Sequence, residues 1–419
     1  MDLTGERVTE VRIWNDLVGY AYWDKGRQCA LFQYDPSFVD KGCDLSPITL
    51  PPSNRAYVFD GLNKDTYQGL PGMLLDSLPD RYGSKILDLW FDCNMPKHEL
   101  TPLDRLCYVG ARGMGALEYQ PSLCGADMKE PIDMERLALL ASKVLSTEDA
   151  RANLNGEGLQ RLFDVGTSAG GARPKAIVGL DEGTGEIRPG HLDLPKEYTH
   201  WIVKFDTDAI RGRRFCRIEY AYHEMARACG INMAECRLLE IGGKTHFMTR
   251  RFDRVKGEKV HMQTLCALAH YDFKVPGRHS YEEMFGIMRS LHMPYEDMEQ
   301  LFKRMVFNVI LRNQDDHTKN FSFIMGRNGG WRLSPAYDLT YAFKPDNYWI
   351  RQHQMSANGK LCEFDRDDLM GVAYNAGIKD SNDIIDEVLS VASEWEGYAK
   401  QSEVPNEMVD LIGKNLLKV

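Results

Sequence analysis

The sequence lacks the features that mark several large classes of protein. Its ten cysteines include no Cys-x-x-Cys pair, which argues against a zinc ribbon or a secreted disulfide scaffold and fits reduced thiols in a cytoplasm. It contains no run of eighteen apolar residues, and its first residues do not resemble a signal peptide, so we expect no membrane contact. The net charge of −10 argues against a broad nucleic-acid-binding surface of its own.

The chain is predicted to be an α+β protein with three parts, at residues 1–150, 151–254 and 255–419. With 419 residues, 43% hydrophobic and 27% charged, it can bury a large core. Short alternating segments separated by turn residues indicate antiparallel strands in about the first 60 residues. Segments 75–94 and 134–145 are predicted to be helices, and helical periodicity dominates from about residue 280 onward.

The most informative segment is a polar stretch that carries two adjacent aspartates, Asp315 and Asp316. Asn320 follows Asp315 by five positions, and Asp338 follows Asn320 by eighteen. Protein kinases use this layout: the first Asp orients the attacking hydroxyl, while the Asn and the second Asp hold Mg²⁺ against the phosphates. Asp316 lacks the five-residue spacing, so we expect its replacement by Asn to preserve substantial activity.

The segments around this stretch are predicted in the order that a kinase needs. Residues 298–311 predict a helix, and residues 321–325 and 331–333 predict two strands joined at a Gly-Gly turn. Asp338 follows the second strand. An Asp or Asn in a loop is more often a turn former or a cap, so it is the order of the elements that favours phosphoryl transfer.

A second set of residues is typical of nucleotide binding. Residues 166–175 are rich in glycine and hydroxyl groups, so their backbone N–H groups can approach phosphate, although the segment is not a Walker A loop. The predicted strand 200–205 carries Lys204, and Glu219 is expected to open a helix and pair with this lysine. Residues 247–254 are predicted to form a strand, either one that meets an adenine or an edge strand with a salt-bridged basic end.

Together these motifs resemble the HipA-like serine/threonine kinases, the toxins of bacterial toxin–antitoxin pairs. The resemblance extends over nearly the whole chain and is carried by segments 70–80, 113–117, 168–175, 251–254 and 315–322. It implies a protein-kinase-like, two-lobed fold with an N-terminal β-rich subdomain and an all-α C-terminal lobe. The glycine-rich segment departs from the family's pattern at Gly170 and Arg173.

The resemblance also implies a role for each matching residue. Asp315 becomes the catalytic residue, Asn320 and Asp338 become the Mg²⁺ ligands, and Ser168 becomes a site of autophosphorylation. The residues expected to bind ATP are Ser168, Ala169, Gly170, Gly171, Lys175, Lys204, Arg251, Phe252, Asp253 and His317.

The implied partners are a protein substrate, with an aminoacyl-tRNA synthetase as one candidate, and a small helix-turn-helix antitoxin that would connect the protein to DNA. Two alternatives stay open. One is a small-molecule kinase, and the other is a non-catalytic scaffold that binds an antitoxin and DNA. The basic stretch 211–214 with Arg217 favours direct nucleic-acid contact, but a solvated turn explains it more simply. The complete set of kinase residues favours an enzyme.

Overall fold

The computed structural model describes residues 8–79, 81–94, 100–123, 130–145, 156–166, 173–206 and 215–419. The chain divides into two compact units. The first unit contains Met1–Ala209, Arg250–Gln263 and Gly326–Gly329, and the second contains Ile210–Thr249, Thr264–Met325 and Gly330–Val419. The division into three domains at residues 150 and 254 stays a prediction. Within the described part of the chain, no helix is both long enough and apolar enough to cross a bilayer.

The first unit begins with a five-stranded antiparallel sheet. Its strands are β1 (Val8–Ile13), β2 (Asp16–Asp24), β3 (Cys29–Tyr34), β4 (Tyr57–Val58) and β5 (Leu117–Gln120), in the order β4-β3-β2-β1-β5. Val11 and Ile13 alternate with less buried residues along β1, so one face of the sheet contributes to the core. The predicted early strands are confirmed.

Helices and two further groups of short strands belong to the first unit. The helices are α1 (Pro36–Val39), α2 (Lys64–Tyr67), α3 (Gly72–Leu75), α4 (Arg81–Asn94), α5 (Pro102–Val109), α6 (Met134–Leu145) and α7 (Gly156–Gly166). The strands are β6 (Lys175–Asp181), β7 (Ile187–Pro189) and β8 (Tyr198–Lys204), and later β11 (Arg254–Val255), β12 (Glu258–Lys259) and β13 (His261–Thr264). β6 pairs antiparallel with both β7 and β8.

The second unit is mainly helical. Its helices are α8 (Phe215–Ala228), α9 (Leu265–Ala269), α10 (Tyr281–Ser290), α11 (Tyr295–Ile310), α12 (Arg366–Ala376), α13 (Ser381–Ser393), α14 (Trp395–Gln401) and α15 (Asn406–Asn415). Its strands are β9 (Cys236–Ile241), β10 (Lys244–Arg250), β14 (His279–Ser280), β15 (Ser322–Met325), β16 (Trp331–Leu333) and β17 (Met355–Ser356). The antiparallel pair β15–β16 is the predicted hairpin, and the α+β class is confirmed. Because this hairpin lies within residues 255–419, that part of the chain is mainly helical rather than all-α, as the resemblance implied.

Three sequence-based boundaries are corrected. The predicted helix 75–94 is two helices, α3 and α4, because Pro79 lies between them and cannot donate a helical backbone hydrogen bond. Glu219 does not open its helix, since α8 already includes Phe215. The predicted strand 247–254 ends at Arg250, and the chain turns at residues 251–253 before β11.

Two helices of the second unit position the candidate site. Helix α10 starts at a capping box, in which the Ser280 side chain accepts from the Glu283 N–H and the Glu283 carboxylate accepts from the Ser280 N–H. Helix α11 carries a buried apolar face, and it also buries the polar residues Arg304 and Asn308. Since buried polar side chains are normally hydrogen-bonded, these two residues indicate that α11 supports a polar loop at its C-terminal end.

Candidate active site

The loop after α11 is held in one shape by bonds to its neighbours. The Asn313 amide donates to Oδ1 of Asn308 at 2.8 Å, and the Gln314 N–H donates to the Ala342 carbonyl at 3.0 Å. At the other end of the loop, the Thr318 hydroxyl donates to the Tyr271 carbonyl at 2.6 Å. Residues 315–317 therefore lie between two anchored ends.

Asp316 is buried and fully engaged by hydrogen bonds. Its carboxylate accepts from the Tyr281 hydroxyl at 2.7 Å, from Nδ1 of His353 at 2.8 Å and from the Gln354 N–H at 2.8 Å. The Tyr281 hydroxyl accepts in turn from the Asn308 amide at 3.0 Å. Asp316 is 1% exposed, so its carboxylate serves to hold the loop in place.

Asp315 is the more exposed of the two aspartates. Its side chain is 40% exposed, and Nε2 of His317 lies 3.8 Å from its Oδ1. The Trp349 indole N–H donates to the same Oδ1 at 2.6 Å. Burial and the negative charges of Asp338 and Asp316 raise the pKa of Asp315, while His317 and the indole hydrogen bond act in the opposite direction.

His317 lies in an aromatic group with Phe273 and Trp349. The ring centroids of His317 and Phe273 are 5.3 Å apart, and those of His317 and Trp349 are 6.0 Å apart. Burial lowers the pKa of His317. Since Nδ1 accepts from the Lys319 N–H at 3.2 Å, the neutral ring carries its proton on Nε2, the nitrogen that faces Asp315.

Asn320 and Asp338 line one small cavity of about 10 Å³, together with Asp316 and Arg304. The Asn320 amide nitrogen donates to the Asp315 backbone carbonyl at 2.8 Å, which leaves the amide oxygen as the atom suited to a cation. Asp338 has a φ of +53°, a left-handed conformation that Asp tolerates better than most residues. The structure therefore brings both predicted metal ligands to one site.

The chemistry of this donor set fits Mg²⁺. An amide oxygen and a carboxylate are hard oxygen ligands, and Mg²⁺ is usually bound by one or two protein groups plus phosphate oxygens and water. Within the described ranges, no group of three or more His, Cys, Asp and Glu side chains is placed to hold a metal ion. A Mg²⁺ ion held by these two groups would complete its coordination with phosphate oxygens or water.

The predicted phosphate-binding residues belong to the first unit. Lys175 on β6 and Lys204 on β8 are register partners across the strand pair, and they are only 2% and 9% exposed. Ser168, Ala169, Gly170 and Gly171 lie outside the described residues. Glu219 is buried in α8 of the second unit.

The residues predicted to meet an adenine form a buried ion cluster. The Asp253 carboxylate accepts from Arg251 at 2.7 Å, from Arg254 at 2.9 Å and from the Gly115 N–H at 2.7 Å. It is completely buried; burial opposes ionisation, but the two arginines hold its pKa far below the usual range. Phe252 lies between Arg251 and Asp253 in the sequence and is partly exposed.

The same cluster joins two sequence motifs that are far apart in the chain. Both Arg251 and Arg254 donate to the Gly113 carbonyl, at 3.3 and 3.0 Å. Gly115 has a φ of +76°, and a Cβ there would lie 3.2 Å from the Met262 nitrogen, so glycine is strongly favoured at this position. Arg251 and Asp253 thus fix the loop 113–115, and their contact with a nucleotide stays a prediction.

Family models match most of the chain. The model for the HipA-like C-terminal domain matches residues 167–395, and the model for the HipA N-terminal domain matches residues 9–120. The chain belongs to the HipA-like family. Its structure is similar to that of HipA in the Shewanella oneidensis MR-1 complex of HipA, HipB and operator DNA, with a TM-score of 0.67, 18% identity and coverage of 97% of this chain and 95% of that one. This likeness shows an α+β fold like that of HipA.

Two curated relatives of this HipA-like chain are named as kinases. "Putative kinase Y4dM" of Sinorhizobium fredii is 26% identical over 249 residues, which is 53% of this chain and 58% of that protein. A "Putative kinase" of Haemophilus influenzae is 23% identical over 265 residues, which is 55% of this chain and 76% of that protein. The chain thus matches less than two thirds of the length of Y4dM.

Sequence reasoning did not find the residues that hold the two aspartates of this HipA-like protein. Trp349, His353 and Gln354 lie beyond the second strand of the hairpin, and Tyr281 opens a separate helix. The sequence offered one weak signal, a largely polar run with two adjacent aromatics, Tyr348 and Trp349, and a histidine soon after them. Only the tertiary contacts bring these side chains to residues 315 and 316.

Proposed function

We propose that this HipA-like protein is an ATP- and Mg²⁺-dependent kinase that phosphorylates Ser or Thr hydroxyls of a protein. The proposal rests on the contrast between the two adjacent aspartates. Asp316 is buried and accepts three hydrogen bonds, whereas the side chain of Asp315 is 40% exposed. Phosphoryl transfer uses such a group of residues: an accessible carboxylate, here that of Asp315, together with oxygen ligands for a metal ion, here Asn320 and Asp338.

In the proposed reaction, Asp315 orients the acceptor hydroxyl and takes its proton. The hydroxyl oxygen forms a bond to the γ-phosphorus, the bond from that phosphorus to the β,γ-bridging oxygen breaks, and ADP leaves. Asn320 and Asp338 would hold Mg²⁺, which supplies charge neutralisation when bound. The proposed phosphate contacts are Lys204, Lys175 and, in the glycine-rich segment, Ser168, Ala169, Gly170 and Gly171. The further proposed nucleotide contacts are Arg251, Phe252, Asp253 and His317.

The proposal extends to partners and regulation. Because the similar Shewanella structure is a complex of HipA with HipB and operator DNA, we propose a small helix-turn-helix antitoxin that connects this protein to DNA. We further propose that the protein is cytoplasmic, that it inhibits growth, and that it phosphorylates itself at Ser168. Its proposed target is a protein, with an aminoacyl-tRNA synthetase as one candidate. The predicted parts 1–150, 151–254 and 255–419 would serve as a β-rich subdomain, a small lobe and a helical lobe.

Transfer of labelled phosphate tests this function. The purified protein is incubated with Mg²⁺ and γ-³²P-ATP, with either the protein fraction or the metabolite fraction of one cell extract. We expect label on Ser or Thr of protein, and no label above background with the Asp315→Asn variant. Label confined to metabolites would show a small-molecule kinase. Equal background for the wild type and the variant would refute a catalytic role and favour a scaffold.

A further inference from the structure

One segment of the second unit contacts both adjacent aspartates of the catalytic loop. This segment, residues 349–354, is here called the clamp segment. Its Trp349 side chain donates a hydrogen bond to Asp315, and its His353 side chain and Gln354 N–H donate hydrogen bonds to Asp316. The Gln354 side-chain amide also donates to the Trp349 carbonyl. The two ends of the clamp segment are therefore tied together, so the position of Trp349 is linked to the anchor of Asp316.

A tight turn fixes Trp349 from the other side. The Asn347 side-chain oxygen accepts from the backbone N–H groups of Trp349, at 2.8 Å, and Ile350, at 3.2 Å. The Lys344 N–H donates to the Ile350 carbonyl at 3.1 Å. Because its backbone is held on both sides, the indole N–H approaches Asp315 from a defined direction.

We propose that Trp349 is a positioning residue of the proposed kinase reaction: its indole N–H holds Oδ1 of Asp315 and leaves Oδ2 to the acceptor hydroxyl. Among the described residues, Oδ2 makes no hydrogen bond to the protein. A carboxylate on a loop can rotate about its last bond, and a donor at 2.6 Å on one oxygen restricts that rotation.

The aromatic group around Asp315 supports the same orientation. Trp349 lies 6.4 Å from Phe273 between ring centroids, and the His317 ring is near both. These rings restrict movement of the indole plane. Phosphoryl transfer depends mainly on positioning, so losing the indole N–H should slow turnover without weakening ATP binding.

The inference rests on the proposed function, and two measurements separate them. The first compares full-length wild type and Trp349→Phe for incorporation of γ-³²P and for ATP binding by calorimetry. We expect turnover to fall about tenfold or more while the Kd for ATP changes less than about twofold. Trp349→His, which keeps a ring N–H donor, should recover part of the rate. Unchanged or increased turnover in Trp349→Phe would overturn the inference.

The second measurement needs no activity. The chain has seven tryptophans, so the indole region of a ¹H–¹⁵N spectrum contains few signals, and the Trp349 signal is the one missing from Trp349→Phe. In Asp315→Ala this proton should move upfield because its carboxylate acceptor is gone. An unmoved signal would refute the contact. Wild type that transfers no phosphate would refute the proposed function, and the spectrum would still decide the contact.

Trp395→Phe is the matched control for both measurements. The Trp395 indole donates to the Val409 carbonyl at 3.0 Å in the same unit and is buried. This variant loses one indole hydrogen bond away from Asp315, so it should lower stability without changing turnover at a temperature where the protein is folded. An equal loss of turnover in both Trp→Phe variants would show a merely structural effect and overturn the inference.

Discussion

Replacing Asp316 by Asn should destabilise the second unit, although sequence spacing alone treats this residue as dispensable. The buried carboxylate accepts three hydrogen bonds, from Tyr281, His353 and the Gln354 N–H. Asparagine offers one acceptor oxygen and an NH₂ group that cannot accept, so at least one buried donor loses its partner.

The expected magnitude follows from that lost acceptor. Hydrogen bonds to charged groups contribute about 1.5–3 kcal/mol each, and a stranded buried donor costs about 1–3 kcal/mol. We therefore expect Asp316→Asn to lower the free energy of unfolding by about 2–5 kcal/mol. For a domain of about 150–250 residues, 3 kcal/mol corresponds to roughly 6–12 °C in Tm.

Asp315→Asn is the matched control for Asp316→Asn, because it makes the same substitution at the neighbouring residue. Its side chain is 40% exposed, and asparagine keeps an oxygen that can accept from the Trp349 indole, so its unfolding free energy should change by less than about 0.5 kcal/mol. Urea unfolding followed by circular dichroism, with a parallel assay of phosphate transfer, separates the two variants. An Asp316→Asn protein as stable as the wild type would refute the assigned anchoring role.

Four other outcomes are expected. Asp338→Asn should remain folded, because Asn also tolerates positive φ, but lose turnover at every Mg²⁺ concentration; full activity at high Mg²⁺ would contradict the metal assignment. Asp253→Asn should lower the urea midpoint, since two buried arginines lose their carboxylate, and an unchanged midpoint would contradict this ion cluster. Because the pKa of native Asp253 is held far below its usual range, its contribution to stability should fall as the pH drops below the ordinary carboxyl pKa of about 4, where the unfolded carboxyl binds a proton. His261 is fully buried with its pKa lowered to about 4, so its contribution to stability should be lost between about pH 6.5 and 4 as the unfolded state binds the proton; His261→Gln should flatten that part of the stability curve. Peptide-mapping mass spectrometry should find phosphate on Ser168 of wild type and none in Asp315→Asn, and phosphate at Ser168 in both would contradict autophosphorylation.

The local patterns of the sequence determined the type of several elements. Alternation predicted β1 to β3, and the apolar periodicity of 298–311 predicted α11. The spacing from Asp315 to Asn320 and Asp338 selected three residues. The structure places Asp315 and Asn320 on one loop, joined by a hydrogen bond, and it places Asn320 and Asp338 around one cavity. These signals are short-range or follow a fixed order along the chain, so they can be read without the fold.

The tertiary structure alone decided what each of the adjacent aspartates contacts. Tyr281, His353 and Trp349 reach Asp315 and Asp316 from segments that carry no spacing signal. The pairing of Asp253 with the Gly115 loop spans 138 residues in the same way. Such contacts depend on which buried donors and acceptors meet after packing. A buried carboxylate needs hydrogen-bond partners wherever they lie in the chain, so the order of residues along the sequence does not specify these contacts.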